Sequence, residues 1–170
     1  MQDFKPIGFH IRINDEEARH SADCMEWDCD DLLIEQVIKE IDIQENCYQL
    51  LQPENAETYA KLVSMVQANE NRSLILLSIL EEDSGYFKEH DTTEKLYIDT
   101  NADVQVLGLD VCDVNGLFSA LFMQLKGIEG ERLLEKDNLE LANKYKLLAN
   151  SLVPEHSPFG VMLVKEILIK

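Results

Sequence analysis

The alternation of apolar and polar positions along the chain predicts its strands. Residues 7–13 alternate with a period of two, which is typical of a half-buried strand, and His10 falls opposite Ile11 and Ile13. We therefore expect His10 on the solvent side or at an edge. Residues 73–80 form a nearly continuous apolar run, which predicts a central strand covered on both faces. Residues 96–98 and 104–111 are two further strand candidates.

Apolar positions that recur at spacings of three and four predict the helices. One helix is expected from about residue 32 to 51, with Asp30 or Asp31 as its N-cap, and a second over 54–69 after Pro53. Asp113 is placed to cap a third helix over 114–125, and a fourth should run from after Gly130 to about residue 152, with residues 134, 141, 145 and 148 on one side. Over residues 159–170 a strand pattern competes with a helical start at residues 157 and 158, and we favour the helix.

These elements predict the fold class. A chain of 170 residues, of which 45% are hydrophobic, is long enough for one well-buried core. The pattern shows no internal repeat, linker or low-complexity tract. We therefore predict a single α+β domain over residues 1–170, with a small sheet of about four strands and helices packed on it.

The charge balance narrows the classes of partner. The chain has 33 acidic and 15 basic residues, a formal net charge of −18. Such acidity argues against binding to nucleic acid or to an anionic membrane surface, because both need basic residues. With no membrane-spanning run and no secretory signal, we expect a cytoplasmic protein with free thiols. Cys47 and Cys112 lie among apolar residues and are interpreted as core residues.

The excess negative charge is unevenly distributed. Residues 126–170 contain seven acids and seven bases, so the whole excess falls in residues 1–125. Two clusters stand out, over 15–31 and 81–94. Trp27, the only tryptophan, lies in the first of them, either as an anchor of its loop on the core or as an exposed aromatic anchor for a partner. The predicted partner-binding residues are Asp23, Glu26, Trp27, Asp28, Asp30, Asp31, Glu81, Glu82, Asp83, Glu89 and Asp91.

No motif predicts a reaction or a cofactor. The chain has neither the Gly-x-Ser-x-Gly turn of a nucleophilic serine nor a glycine-rich phosphate loop. His20, Cys24 and Cys29 are soft metal ligands, but their spacing lacks the paired pattern of a zinc site. Residues 99–103 offer alternating oxygen ligands without the glycine and closing glutamate of a calcium loop, so we interpret them as a turn. We predict no enzyme, no metal site and no cofactor.

The acidity itself is the best indication of function. A net charge of −18 exceeds the roughly 2–8 charges typical of a small soluble domain, and its self-repulsion opposes folding. A cationic protein partner would compensate for that repulsion. Residues 107–118 (LGLDVCDVNGLF) run from a strand pattern into a helix pattern. In this stretch, and in its single α+β domain and clustered acids, the chain resembles the small acidic immunity proteins of bacterial toxin–immunity pairs, including those of contact-dependent inhibition.

The resemblance implies a cytoplasmic protein that binds and blocks one cognate basic toxin, often a nuclease, as a stoichiometric inhibitor. Three alternatives remain open at this point. One is an acidic mimic of DNA that inhibits a nucleic-acid-binding enzyme, and another is an enzyme of unrecognised type. The third is a generic adaptor in which the acids serve only solvation, which is also consistent with the composition.

Overall fold

Six antiparallel strands form one sheet in the computed structural model, which describes residues 3–14, 29–45, 50–90, 96–113, 117, 119, 133–156 and 158–169. The strand order is β2-β3-β1-β4-β6-β5. The strands are β1 (Phe4–Ile13), β2 (Gln44–Glu45), β3 (Leu51–Gln52), β4 (Arg72–Leu80), β5 (Val104–Asp113) and β6 (Phe159–Ile167). The α+β class is confirmed, with six strands instead of about four.

Three α-helices in the described residues pack on one face of this sheet. They are α1 (Asp31–Glu40), α2 (Ala56–Gln67) and α3 (Leu139–Leu152); two further segments, Glu81–His90 and Pro154–His156, are 3₁₀-helical. Helices α1 and α2 cover Leu74 and Leu76 of β4, while α3 covers Leu80 at the same face. The opposite face of β4 presents Ile75 and Leu77 to a separate cluster. The prediction of a central strand buried on both faces is therefore confirmed.

The predicted first helix is too long. Helix α1 starts after the N-cap Asp30, as predicted, but ends at Glu40, and Leu51 belongs to β3. Burial explains the end, because Ile41 and Ile43 are buried while the residues beside them are exposed, an alternation that extended backbone produces and a helix does not. The second predicted helix is confirmed as α2, with the N-cap Asn55.

The C-terminal prediction is wrong. Residues 159–167 form strand β6, which lies between β4 and β5 and pairs with both. Residues 96–98, a strand candidate, lie in no strand. The predicted helix over 114–125 lies almost wholly outside the described residues, and Asp113 is the last residue of β5.

The last helix is shorter than predicted. Leu141 and Tyr145 of the predicted side pack partly buried against the core, but the most buried positions are different residues. Leu134 lies outside α3 and pairs with Leu109 in an isolated bridge, while Ala142 and Ala149 form the buried positions of the helix. Leu148, predicted on the packed side, is exposed. The small side chains of Ala142 and Ala149 let α3 lie close to the sheet.

The four long strands, β1, β4, β6 and β5, are related by an internal pseudo-twofold axis. All nine residue pairs between β1 and β4 have counterparts between β5 and β6, with offsets of 100 residues for the outer strands (Gly8 to Gly108) and 87 for the inner strands (Leu77 to Val164). The β-bulge falls at the same place in both, between Pro6 and Gly8 and between positions 106 and 108. The axis passes between Leu77 and Val164, which pair with each other.

The correspondence extends beyond the paired strands. Gly8 and Gly108 both have positive φ, at 149° and 150°, and the residues after them pair outward with Leu51 and Leu134 respectively. Four residues later an asparagine caps the helix of each half, Asn55 for α2 and Asn138 for α3. We call residues 4–80 the first half and 104–167 the second half. The sequence pattern had indicated no repeat, and the structure shows one.

Candidate interaction surface

The structure describes part of the predicted partner-binding set. Asp23, Glu26, Trp27, Asp28 and Asp91 lie outside the described residues, and the side chain of Glu89 is not described. The remaining five fall at two places, where Asp30 and Asp31 start α1 and where Glu81, Glu82 and Asp83 follow β4.

Both carboxylate oxygens of Asp30 are bound by other groups of the same domain. One carboxylate oxygen accepts a hydrogen bond from the backbone N–H of Leu33 at 3.0 Å and so caps α1, while the other pairs with the guanidinium of Arg72. The pair is mostly buried, which favours a role in fixing the start of α1 against β4. Asp31, the next residue, is exposed.

Both carboxylate oxygens of Asp83 are also bound by other groups of the domain. It is only 3% exposed; one carboxylate oxygen accepts from the ammonium of Lys146 at 2.9 Å, and the other accepts from the backbone N–H of Val161 at 3.0 Å. The side chain thereby joins the end of β4 to α3 and β6. Glu82 lies 3.8 Å from the same Lys146 ammonium, and Glu81 is exposed.

The structure does not bring the described members of the two clusters together. Asp30 contacts Arg72, the first residue of β4, whereas Glu81 directly follows Leu80, the last residue. The nine residues of β4 lie between these two places, and its eight residue-to-residue steps span roughly 26 Å at about 3.3 Å each. The described parts of the two clusters therefore cannot form one continuous patch.

A different acidic surface lies along α1 and β2, at one edge of the sheet. Its acids are all exposed, and the only base among residues 31–45 is Lys39. Exposed apolar side chains accompany them, with Leu32 at 79% and Ile38 at 37% exposure. We call this the α1–β2 surface, and its acids are Asp31, Glu35, Glu40, Asp42 and Glu45.

The α1–β2 surface differs from the exposed sides of the other helices. On α2, Glu57 pairs with Lys61 at 3.3 Å, and on α3, Glu140 pairs with Lys144 at 3.6 Å. Within the described residues, Glu35, Glu40, Asp42 and Glu45 form no ion pair. Sequence reasoning missed this surface because its acids are separated by the apolar positions of the helix. A count of charges by predicted helix face would have found it.

Two equivalent buried polar residues, His10 and Asp110, lie on the face of the sheet opposite the helices. His10, predicted at the solvent side, does lie opposite Ile11 but is buried, because this face is covered as well. Its counterpart in the second half is Asp110, also buried, whose carboxylate accepts a hydrogen bond from the Ser119 hydroxyl at 2.7 Å. Cys112 is buried as predicted, and Cys47 lies outside the described residues.

The oxygen-rich segment 99–103 forms a turn, as predicted. The carboxylate of Asp99 accepts from the backbone N–H of Asn101 at 2.9 Å, which is an Asx turn. Asp99 also contributes to a raised pKa of Tyr59, whose larger cause is burial of the phenol. No three histidine, cysteine or acidic side chains in the described ranges are grouped as a metal site would require. Of the three residues considered and rejected as a zinc site, Cys29 alone is described, and it is buried.

No helix in the described parts of the chain is both long and apolar enough to span a membrane. Comparison with known proteins finds no matching family model, no similar curated protein and no similar solved structure.

Proposed function

We propose that this protein neutralises a cationic protein partner, as an immunity protein neutralises a toxin, by stoichiometric binding in the cytoplasm. The partner expected from this chemistry is a basic toxin, of which a nuclease is the first candidate, because its cleft must hold phosphates with lysine and arginine. The observation that carries the proposal is the α1–β2 surface. It has five exposed acids and two exposed apolar side chains on α1 and the segment that follows, and four of these acids (Glu35, Glu40, Asp42 and Glu45) form no ion pair with a described residue, in a chain of net charge −18.

Charge and apolar contact would contribute differently to such a complex. Complementary charge raises the association rate by orders of magnitude at low salt, and this gain falls as salt screens the attraction. Apolar anchors that become buried slow dissociation. Leu32 is the best-placed anchor, because most of its side chain faces solvent and Asp31 and Glu35 lie on the same helix.

Two of the predicted contact residues support the fold instead. Asp30 and Asp83 have their carboxylates engaged by Arg72 and Lys146, and breaking such pairs would change stability as well as binding. The proposal therefore moves the main contact from the two loop clusters to the α1–β2 surface, of which Asp31 is the shared member. The members of the first cluster that lie outside the described residues stay a prediction.

The test compares two triple charge reversals that change the net charge equally. The variant Glu35→Lys/Glu40→Lys/Asp42→Lys alters the α1–β2 surface, and Asp137→Lys/Glu140→Lys/Glu155→Lys alters exposed acids around α3. Each raises the formal charge from −18 to −12, since three reversals add 6. The partner to test is a basic toxin domain, sought first in the reading frames beside this gene, co-expressed with each form and then measured for binding by stopped-flow.

The wild-type chain should restore growth and bind with a rate that falls steeply with salt. The α1–β2 variant should slow association by about tenfold or more at low ionic strength, whereas the α3 variant should change it far less. Equal slowing by the two variants would place the effect in net charge and not in this surface. Failure of the wild-type chain to bind or protect against any such basic partner would overturn the proposal.

A further inference from the structure

The two outer strands of the pseudo-symmetric sheet have differently protected edges. Outside β1 lie β3 and β2, and the Gln52 side chain adds a hydrogen bond from its amide to the carbonyl of Ile7 at 3.1 Å. Outside β5, Leu134 pairs with Leu109 through two bonds of 2.8 Å, and the chain then turns away at residues 136 and 137. Glu135, the counterpart of Gln52, is exposed.

Among the described residues, 104–107 of β5 form an open edge. Within the described parts of the chain, no strand or bridge pairs with their outer side. Val104 is 45% exposed, and Leu168, the residue that follows β6, is 42% exposed. The segment contains no charged residue and is rich in β-branched side chains, which favours strand pairing.

The first half shows which way the backbone of this edge points. Val106 pairs with Lys165, and its counterpart Pro6 pairs with Ser78 in the same register. Proline has no N–H, so it fits a strand only where no inward donor is needed. The shared register means that the N–H of Val106 points away from β6. Because alternate residues of a strand face the same neighbour, Val104 also directs its N–H and C=O outward.

Natural sheets block such edges with proline, charge or a covering segment, because an open edge pairs with other strands. At this end of the strand the first half has Pro6 and the hydrogen bond from Gln52 to Ile7, and among the described residues the second half has neither at the corresponding positions. The edge is therefore suited to receive a strand.

We propose that a second copy of this chain occupies the edge, with β5 antiparallel to β5 across a twofold axis at Gln105. In that register Val104 of each copy forms the hydrogen-bonded pair with Val106 of the other, and the two Gln105 side chains meet at the axis. The uncharged edge suits a copy of an anionic chain better than it suits a cationic partner. It lies at the end of the sheet opposite β2, so the dimer leaves both α1–β2 surfaces free and does not depend on the proposed function.

Salt dependence distinguishes this contact from capture of a cationic partner. Two chains of charge −18 repel each other, and added salt screens that repulsion, so self-association should strengthen between about 0.02 M and 0.5 M salt. A complex with a cationic protein should weaken over the same salt range, because salt screens the attraction between opposite charges. The contact is short, so dimerisation should be weak and should grow with protein concentration in sedimentation velocity.

The variant Val106→Pro tests the edge, because it places in the second half the residue that the first half already carries. It should stay monomeric at concentrations at which the wild-type chain dimerises, with an unchanged far-UV circular dichroism spectrum. The proposal is overturned if wild type remains monomeric at the highest concentration and salt, or if Val106→Pro dimerises equally well. It is also overturned if Val106→Pro abolishes binding of a different protein at this edge but leaves self-association unchanged.

A cross-linking experiment tests the register without relying on a proline. Residues at a non-hydrogen-bonded antiparallel pair have Cα atoms about 4.5 Å apart, within the range that a disulfide spans. Gln105→Cys should therefore form a covalent dimer under mild oxidation. The matched control Glu45→Cys, exposed on β2 at the other edge, and the wild-type chain should not. If Gln105→Cys gives no more dimer than Glu45→Cys, the proposed axis is wrong, while the growth-protection result stands independently.

Discussion

Replacing Gly108 with alanine should destabilise the protein by roughly 3 kcal/mol. Gly108 has φ of 150°, which costs an alanine about 1–2 kcal/mol. A Cβ there would collide with the carbonyl oxygen of Leu134 and lie 2.9 Å from the Cβ of Leu133. Relieving the collision would break the two hydrogen bonds between Leu109 and Leu134, worth about 1 kcal/mol each.

Urea denaturation followed by tryptophan fluorescence and circular dichroism would measure this loss, and the melting temperature should fall by about 10 °C. Gly85→Ala is the matched control, because nothing lies within 4 Å of its added Cβ, and it should stay within about 0.5 kcal/mol of wild type. Gly8→Ala, the counterpart in the first half, would place a Cβ 2.7 Å from that of Leu50 and should behave like Gly108→Ala. If Gly108→Ala were as stable as Gly85→Ala, the close approach of the 133–134 segment to β5 would be refuted.

Three further predictions concern buried charge, caps and pH. Asp83→Ala should cost about 3 kcal/mol in urea denaturation because it leaves Lys146, 15% exposed, without its carboxylate, and adding Lys146→Met should recover part of the loss; no recovery would contradict the pairing. Asn138→Ala should cost about 1 kcal/mol by removing the acceptor for the N–H of Leu141, whereas Asn138→Asp should cost much less. The raised pKa of Tyr59 means that the unfolded chain loses this proton first, so stability should fall as pH rises above 10.0, and Tyr59→Phe should flatten that fall in pH-dependent melting curves.

Local sequence patterns correctly predicted the elements that depend on residues close together in the chain. The apolar run of β4 and the start of α1 at Asp30 follow from burial on two faces and from a side-chain cap. The tail 159–170 could not be decided locally, since its apolar spacing fits a helix or a strand. It is a strand because β4 and β5 both pair with it, and those contacts are distant in sequence.

The candidate surface was only partly predictable for the same reason. Acids that are neighbours in sequence were grouped, but the partner of Asp83 lies 63 residues away and that of Asp30 lies 42 residues away. The spacing of charged residues along the sequence does not reveal ion pairs between residues this far apart. The pseudo-twofold axis could not be recognised from the sequence either. Matching registers require only the same alternation of buried positions and a glycine at each bulge, so almost every other residue can differ between the two halves.

The matched registers of the two halves are the trace expected from fusion of two copies of one ancestral gene. In such an ancestor, the strand that is now β4 or β6 would have paired with the same strand of a second molecule. Fusion would then have turned this contact between two molecules into the centre of one sheet. The present chain differs between the halves at this outer margin: the first half has Pro6, whereas at the corresponding positions of the second half Val104 and Val106 pair outward with no described residue.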